Sequence, residues 1–226
     1  MVFLALSCLQ GRPMDSALAS LAELKPDGVQ LTPGNMPTPD FQRALRKSKL
    51  ATRTHHGFSF TAFRTRDVWA DDGRCLTTSD SVHPPASTSP AAARYLSAQR
   101  VLETMYPSYA LGTGDELEQA MKLEIPLAVD VSHLFIQKSQ GVLGPATLRR
   151  LFDYEHVHEV HVSANDGRRD LHAPLTTNTF GLDWAHERER AGVPLVLECY
   201  FHRLTVDQRS HQLALARGES LRRRTR

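Results

Sequence analysis

The sequence predicts a single-domain α/β protein folded as a (β/α)8 TIM barrel. Eight short apolar runs alternate with segments whose apolar residues recur at helical spacing. The 226 residues are enough for one barrel near the lower end of the usual size. Most of the apolar runs also end in a side chain that can bind metal. Since no repeat or low-complexity linker divides the chain, we expect one domain over residues 1–226, in which 218–226 form a basic C-terminal tail.

The strands are predicted from short runs of apolar and β-branched residues bounded by turn-forming residues. Val2–Ser7 is read as a strand because its apolar run lacks the basic leader and the cleavage site of a signal peptide. Thr77–His83 is the most polar of the eight and is predicted from its context, since His83 precedes two prolines and a helix. In order, the predicted strands are Val2–Ser7, Gly28–Leu31, Leu50–His56, Thr77–His83, Val101–Met105, Ile125–Val131, His158–Val162 and Val193–Tyr200.

The helices are predicted from apolar residues at helical spacing and from residues that favour a helix start. Asp15 is a candidate cap for the first helix, and Pro145 occupies the first turn of a later one. The stretch 57–76 shows neither pattern and is predicted to be irregular. The predicted helices are Asp15–Leu24, Phe41–Lys47, Pro90–Ala98, Asp115–Lys122, Pro145–Phe152, Gly181–Ala191 and Val206–Ala216.

The composition predicts a soluble globular protein that binds neither nucleic acid nor membranes. Hydrophobic residues make up 41% of the chain and charged residues 23%, and the formal net charge is +2. No run approaches the roughly 18 apolar residues of a membrane span. The cysteines Cys8, Cys75 and Cys199 lie far apart and form no CxxC pair, so we expect neither disulfides nor a thiolate zinc site. A reducing cytoplasm fits this usage.

Metal-binding side chains close the predicted strands from the third to the eighth. The active site of a TIM barrel lies at the C-terminal ends of its strands, so these side chains should meet at one place. All are nitrogen or oxygen donors of the kind that bind zinc, manganese or iron. They are His55 or His56, His83, Glu103, Asp130 with His133, His161 and Glu198, joined by Asp170 and His172 from the loop after the seventh strand.

Two of the carboxylates follow apolar runs, which argues against ordinary surface positions. Glu198 comes after Val193–Leu197, and Asp130 comes after Leu127–Val129. A lone His or Glu is usually a surface residue, but an ionised carboxylate that ends a core strand needs a cation or a hydrogen-bond partner. One metal site explains all the strand ends together. We therefore expect a metal centre whose catalytic carboxylates are Glu103, Asp130 and Glu198.

Two arginines lie beside the loop that carries Asp170 and His172. Arg168 and Arg169 could each bind a carboxylate or phosphate of a substrate through a bidentate fork. A solvated position in the loop is an equally weighted alternative. They are therefore predicted substrate-binding residues.

The order of the candidate ligands resembles that of the xylose-isomerase-like TIM-barrel superfamily, which includes the endonuclease IV group. The segments DVSH, DLH and LVLE carry the resemblance best, and the likeness spans nearly the whole chain. Trinuclear members fill all nine ligand positions, so the resemblance implies two or three divalent metal ions here, of iron, zinc or manganese. The matching residues are His56, His83, Glu103, Asp130, His133, His161, Asp170, His172 and Glu198.

Branches of this superfamily use these positions differently. Sugar isomerases and epimerases are similar to this chain at Glu103, Asp130, His161 and Glu198, which in those enzymes hold one metal. Endonuclease IV uses zinc to activate water against a phosphodiester and grips DNA with long loops. This chain is short and nearly neutral, which argues against a DNA-reading surface.

A further branch comprises multinuclear non-haem iron-dependent oxidative enzymes that modify precursor peptides. HGFSF at 56–60, YPSY at 106–109 and VDVSHLF at 129–135 are similar to segments of that branch. These resemblances favour an iron-dependent oxidative enzyme that acts on a peptide or small thiol substrate. Such an enzyme could also work with a partner protein. A zinc-dependent phosphoester hydrolase is the first alternative, a metal-dependent sugar isomerase or epimerase the second, and a non-catalytic binding barrel the third.

Overall fold

The computed structural model describes residues 1–56, 58, 79–97 and 100–219. Several sequence predictions therefore lie outside the described residues. They concern almost all of the irregular stretch 57–76, the start of the fourth strand at Thr77 and Thr78, the end of the helix at Ala98, and residues 220–226 of the basic tail.

Eight parallel strands form a nearly closed barrel, which confirms the predicted fold class. The order around the sheet is β3-β2-β1-β8-β7-β6-β5-β4. The two end strands meet at a bridge between His55 and Ser81. The strands are β1 Val2–Ala5, β2 Gly28–Leu31, β3 Ala51–Thr54, β4 Ser81–Val82, β5 Val101–Glu103, β6 Leu127–Asp130, β7 Val157–Val162 and β8 Leu195–Leu197.

Helices follow the strands and cover the outside of the barrel. Apolar side chains such as Leu18, Leu21 and Leu117 are buried between this outer layer and the strands. In the described part of the chain the α-helices are α1 Met14–Ala22, α2 Phe41–Ser48, α3 Ala92–Ser97, α4 Gly114–Lys122, α5 Val131–Ser139, α6 Pro145–Phe152, α7 Leu182–Arg190 and α8 Val206–Ala216. A 3₁₀ helix, Leu6–Leu9, follows β1. Within the described ranges, no helix is long and apolar enough to cross a membrane.

The sequence prediction extends two strands into helices. Leu6 and Ser7, predicted as the end of the first strand, begin the 3₁₀ helix Leu6–Leu9. Val131 was predicted as the last residue of the sixth strand, whereas it begins α5, a helix that the sequence patterns did not predict. The helix starts directly after the strand with no intervening loop. Because α5 begins directly after the strand and its first turn contains the polar residues Ser132 and His133, no helical spacing of apolar residues marks its start.

The barrel interior is polar as well as apolar. Gln30 of β2, Ser81 of β4 and Glu159 of β7 are fully buried and hydrogen-bonded to one another, so their side chains point into the barrel. The register pairs Asp130 with His161 across β6 and β7. This pairing brings two of the predicted ligands side by side at the C-terminal end of the barrel.

Candidate metal centre

Four predicted ligands converge at the C-terminal ends of β5 to β8. Glu103 ends β5, Asp130 ends β6, His161 lies near the end of β7, and Glu198 follows β8. One ligand atom from each lies within 4.8 Å of the others, and all four side chains are buried. Nitrogen and oxygen donors at such separations can share one divalent ion.

Asp130 is positioned by the turn from β6 into α5. It is the N-cap of α5, and its Oδ1 accepts hydrogen bonds from the backbone N–H groups of Ser132 (2.6 Å) and His133 (3.1 Å). Its buried Oδ2 accepts no hydrogen bond within the described residues. Burial raises the pKa of Asp130. One oxygen therefore fixes the side chain, and the other is available to a cation.

His161 is oriented by a buried carboxylate. Its Nε2 lies 2.6 Å from Oε1 of Glu159, and a carboxylate can only accept, so we assign the proton to Nε2. Nδ1 lies 3.4 Å from the carboxylates of both Glu103 and Glu198. Although burial would lower the pKa of His161, the carboxylates of Glu198 and Glu103 raise it well above its usual value.

These contacts show that the four residues fit a divalent metal ion. Three buried carboxyl groups face one imidazole, and such a cluster needs compensating positive charge. Asp130 Oδ2 and His161 Nδ1 are buried without hydrogen-bond partners among the described residues. A cation bound there would take the lone pairs of both atoms. Metal-binding histidines typically donate the proton of the other ring nitrogen to a carboxylate, as His161 does to Glu159.

A second metal-capable group shares Glu103 with the first. It comprises His55, His83 and Glu103. Oε2 of Glu103 lies 3.1 Å from Nε2 of His55 and 2.7 Å from Nε2 of His83. Burial would raise the pKa of Glu103, but the nearby charges of His83 and His161 hold it well below its usual value.

His55 presents an unprotonated nitrogen to this second group. The hydroxyl of Ser81 donates to Glu159 at 2.7 Å, so its oxygen accepts the Nδ1 proton of His55 at 2.8 Å. Burial lowers the pKa of His55 to about 4, which keeps the ring neutral. Its Nε2 lone pair then faces the Glu103 carboxylate, an arrangement that a cation between them would stabilise.

The structure distinguishes the positions of His55 and His56. His55 is buried and belongs to the second group, whereas the predicted ligand His56 lies at its edge with its ring centroid 4.2 Å from that of His83. His56 has a left-handed backbone, with φ of 50°. His56 lines the same cavity as His55 and His83, and both of its ring nitrogens are buried.

The remaining three predicted ligands form a third cluster. Oδ2 of Asp170 lies 3.3 Å from Nε2 of His133 and 3.1 Å from Nε2 of His172. His133 donates its Nδ1 proton to the carbonyl of Thr104 at 2.8 Å, which leaves Nε2 facing Asp170. Burial would lower the pKa of His172, but the hydrogen bond and charge of Asp170 raise it to about 9.

Sequence reasoning missed the polar network beneath the ligands. Glu159 accepts from Gln30 Nε2 at 2.8 Å and from Ser81, and it forms an ion pair with Arg53. Burial would raise the pKa of Glu159, but its contacts with His161 and the charge of Arg53 lower it to about 2. Glu159 could have been found, since it precedes His161 by two residues and so shares its face of the strand.

All the candidate ligands except Asp130 and His161 line one cavity of about 260 Å³. Its wall also contains residues that the sequence did not single out, among them Ser7, Gln10, Thr32 and Tyr200. The predicted substrate-binding residues Arg168 and Arg169 are exposed, and neither belongs to the described lining of this cavity. Their backbone N–H groups donate to Asp166 instead.

Comparisons with known proteins support the fold. No protein-family profile matches the chain, and no curated protein sequence matches it. Solved structures do match it. A D-allulose 3-epimerase from a Methylomonas species has a TM-score of 0.58 at 14% identity, over 96% of this chain and 89% of that one.

Two further solved structures share the fold. A protein provisionally assigned as a xylose isomerase from Rhodospirillum rubrum has a TM-score of 0.61 at 14% identity, over 94% of this chain and 99% of that one. A xylose isomerase domain protein from Alicyclobacillus acidocaldarius has a TM-score of 0.51 at 12% identity, over 96% and 100%. The chain therefore shares its TIM-barrel fold with these proteins, which is the fold that the resemblance of its motifs implies.

Proposed function

We propose that the protein is a divalent-metal-dependent sugar isomerase or epimerase. The observation that carries this proposal is the buried group of Glu103, Asp130, His161 and Glu198 at the mouth of the barrel. The resemblance associates these four positions with one metal in sugar isomerases and epimerases. The similar structures, an epimerase and two xylose isomerase-type proteins, support the same choice.

The cavity is suited to a monosaccharide. Its volume is about 260 Å³, and its wall offers hydroxyl and amide groups from Ser7, Gln10, Thr32 and Tyr200 that can bind sugar hydroxyls. Tyr200 is held in place by donating its hydroxyl to Gln10 at 3.1 Å. These side chains would fix which carbon of the sugar lies next to the carboxylates.

The reaction would move a proton between carbon atoms of the sugar. A bound divalent ion would polarise the sugar carbonyl and so acidify the neighbouring C–H bond. The carboxylate of Glu198 would take that proton and return it to the adjacent carbon in an isomerase. In an epimerase Glu198 would keep that proton, and a second carboxyl group of the site, that of Glu103, would deliver another proton to the same carbon from the opposite face. Asp130, fixed by the α5 backbone, would hold the site together without moving.

Sugar isomerisation or epimerisation thus takes precedence over the oxidative function that the sequence favoured. The iron-dependent oxidative function that the sequence favoured finds no support in the similar structures. The sugar isomerase or epimerase, the second alternative there, fits them better. Metal identity distinguishes the two, since an iron enzyme would purify with iron and a visible absorption band that bleaches on reduction.

A zinc-dependent phosphoester hydrolase is the second candidate function. It is favoured by the extra ligands, because His55 and His83 form a second group on Glu103 and Asp170 contacts both His133 and His172. A single-metal isomerase does not require them. Two or three zinc ions per chain, with hydrolysis of a phosphodiester, would favour this candidate over the isomerase.

The test combines metal analysis with a substrate screen. We expect one tightly bound divalent ion per chain and interconversion of an aldose–ketose pair or a pair of epimers, measured by chromatography over pentoses and hexoses including D-allulose. Glu198→Gln and Asp130→Asn should each abolish turnover and lower metal content. Glu118→Gln, which alters an exposed ion pair with Arg150, is the matched control. Unchanged metal content in both site variants would refute the site, and the absence of any bound metal would favour a binding barrel.

A further inference from the structure

A second cavity, of about 430 Å³, lies between the start of α5 and the segments that follow β7. It shares no lining residue with the cavity of the metal centre. Among the described residues that line it, none carries a charged side chain. Its lining therefore differs in chemistry from the metal centre, where carboxylates and imidazoles dominate.

Two buried hydroxyl groups in this cavity have no internal partner. Ser132 and Ser163 are 2% and 1% exposed, both line the cavity, and neither Oγ forms a hydrogen bond within the described residues. A buried hydroxyl without a partner is costly. Thr176 and Thr179 add hydroxyls whose oxygens accept from backbone N–H groups, so their protons remain available to a ligand.

An aromatic pair forms another part of the wall. The rings of Phe135 and Phe180 stack with centroids 5.4 Å apart and planes inclined by 25°. The ammonium group of Lys138 lies 5.0 Å from the Phe180 centroid, which adds a cation–π contact. The aromatic surface is thus held in place before a ligand arrives.

Close glycine contacts shape the cavity. Gly167 lies where a Cβ would come within 2.4 Å of Ser139 Oγ, and Gly181 lies where a Cβ would come within 2.8 Å of Val131. Both have positive φ, of 75° and 74°. The segment after β7 therefore approaches α5 closely at both points, which favours a preformed pocket.

We infer that this second cavity binds an uncharged sugar. Several hydroxyl groups can donate to and accept from the hydroxyls of a sugar, and the C–H face of a sugar ring packs against an aromatic wall. An anionic ligand finds no charged group in the described lining, and the exposed Lys138 is already held by its contact with Phe180. A volume of about 430 Å³ accommodates one or two sugar rings. The inference does not depend on the function proposed for the metal centre.

The test uses metal-free protein, so that binding to the two cavities can be separated. D-glucose, D-xylose and maltose serve as probes, with saturation-transfer NMR and calorimetry as readouts. We expect Phe180→Ala and Ser163→Val each to weaken binding by about tenfold or more. Phe152→Ala, which removes a ring stacked on Trp184 outside this cavity, is the matched control and should bind as the wild type does.

Three outcomes would overturn the inference. One is the absence of binding by all three sugars. Another is binding that Glu198→Gln abolishes and the cavity variants leave intact, which would place the sugar at the metal centre alone. The third is tighter binding of adenosine, which would assign the aromatic wall to a nucleobase. Circular dichroism of each variant verifies folding, and Ser163→Val keeps the test valid if Phe180→Ala does not fold.

Discussion

His161 shows how a single buried side chain is prepared for a cation. Its Nε2 proton is committed to Glu159, and its Nδ1 faces two carboxylates. When the ring is neutral, the Nδ1 lone pair faces the negative carboxylates of Glu103 and Glu198. It becomes favourable only when a proton or a metal ion lies between them. The orientation of the ring therefore depends on Glu159, which does not belong to the four-ligand group.

We predict that Glu159→Gln weakens divalent-metal binding by about 10- to 100-fold. A glutamine can present an N–H to His161 Nε2, which removes the preference for the tautomer with a free Nδ1. Chelator competition with zinc or manganese measures the affinity. Glu118→Gln makes the same chemical change on the surface and should leave affinity unaltered. Equal affinities in the two variants would show that Glu159 does not position the ligand.

The ionisation of Glu198 makes the stability of the metal-free protein depend on pH. Burial raises its pKa to about 7 from a usual value of 4.5, so the metal-free folded state holds this proton more tightly than the unfolded chain does. Stability from this group is therefore greatest below pH 4.5 and decreases as the pH rises towards 7. We predict that Glu198→Gln unfolds at a higher temperature than the wild type at pH 8 in chelator.

The difference in unfolding temperature should shrink as the pH falls towards 4.5, where the glutamic acid is itself neutral. Thermal unfolding followed by circular dichroism across this range measures it. A difference that stays constant with pH would show that the ionisation of Glu198 does not limit the stability of the metal-free protein.

At the scale of secondary structure, Asp130 serves two elements. It ends β6, and its Oδ1 caps α5 through the backbone N–H groups of Ser132 and His133. Its other oxygen belongs to the metal group. The sharp turn from β6 into α5 therefore places His133, in the first turn of the helix, in the wall of the cavity that Glu103 and Glu198 also line.

Substitutions at Asp130 should separate these two roles. Asparagine retains a capping oxygen and loses the charge, so Asp130→Asn should lower metal affinity with little loss of helix capping. Asp130→Ala removes both, and we expect it to be less stable than Asp130→Asn by about 1 kcal/mol. Urea denaturation of the metal-free variants measures the difference. Equal stability of the two variants would contradict the capping role.

The same turn explains which elements the sequence could predict. Each predicted strand has a counterpart because its apolar run stands between polar or turn-forming segments. The helix α5 was missed because it starts without a loop after β6 and because Asp130 is equally typical of a metal ligand and of a helix cap. β4 is only Ser81–Val82, shorter than the polar segment that predicted it.

At the scale of the whole molecule, the barrel closes between β3 and β4, the two ends of the sheet, where the candidate ligand His55 contacts Ser81. The end strands β3 and β4 meet where His55, just after β3, bridges Ser81 and where Thr54 and Asp80 bond to each other. Glu159 reaches this point of closure from β7, bonding to Ser81 and pairing with Arg53 of β3. Glu159 thus contributes both to the closure of the barrel and to the orientation of the ligand His161.

The candidate ligands could be predicted from the sequence better than the buried polar residues that hold them in place. The ligand positions follow from a general rule, that the C-terminal ends of barrel strands converge, and strand-end His, Asp and Glu residues are visible in the sequence. The roles of Glu159 and Gln30 depend on which side chains meet across the barrel interior. That meeting is fixed by strand register and closure, which local sequence patterns do not encode.

Binding of a divalent ion should stabilise the whole fold, because Glu103, Asp130, His161 and Glu198 come from the four neighbouring strands β5 to β8. An ion that binds only the folded state, at 100 times its Kd, adds about 2.7 kcal/mol to the free energy of unfolding. We predict this increment for zinc or manganese in urea denaturation, relative to the same protein in chelator. Glu198→Gln should lose most of it, and Glu118→Gln should retain it. An equal increment in Glu198→Gln would mean that the stabilising ion binds elsewhere, since removing one of four ligands from a closed group must weaken it.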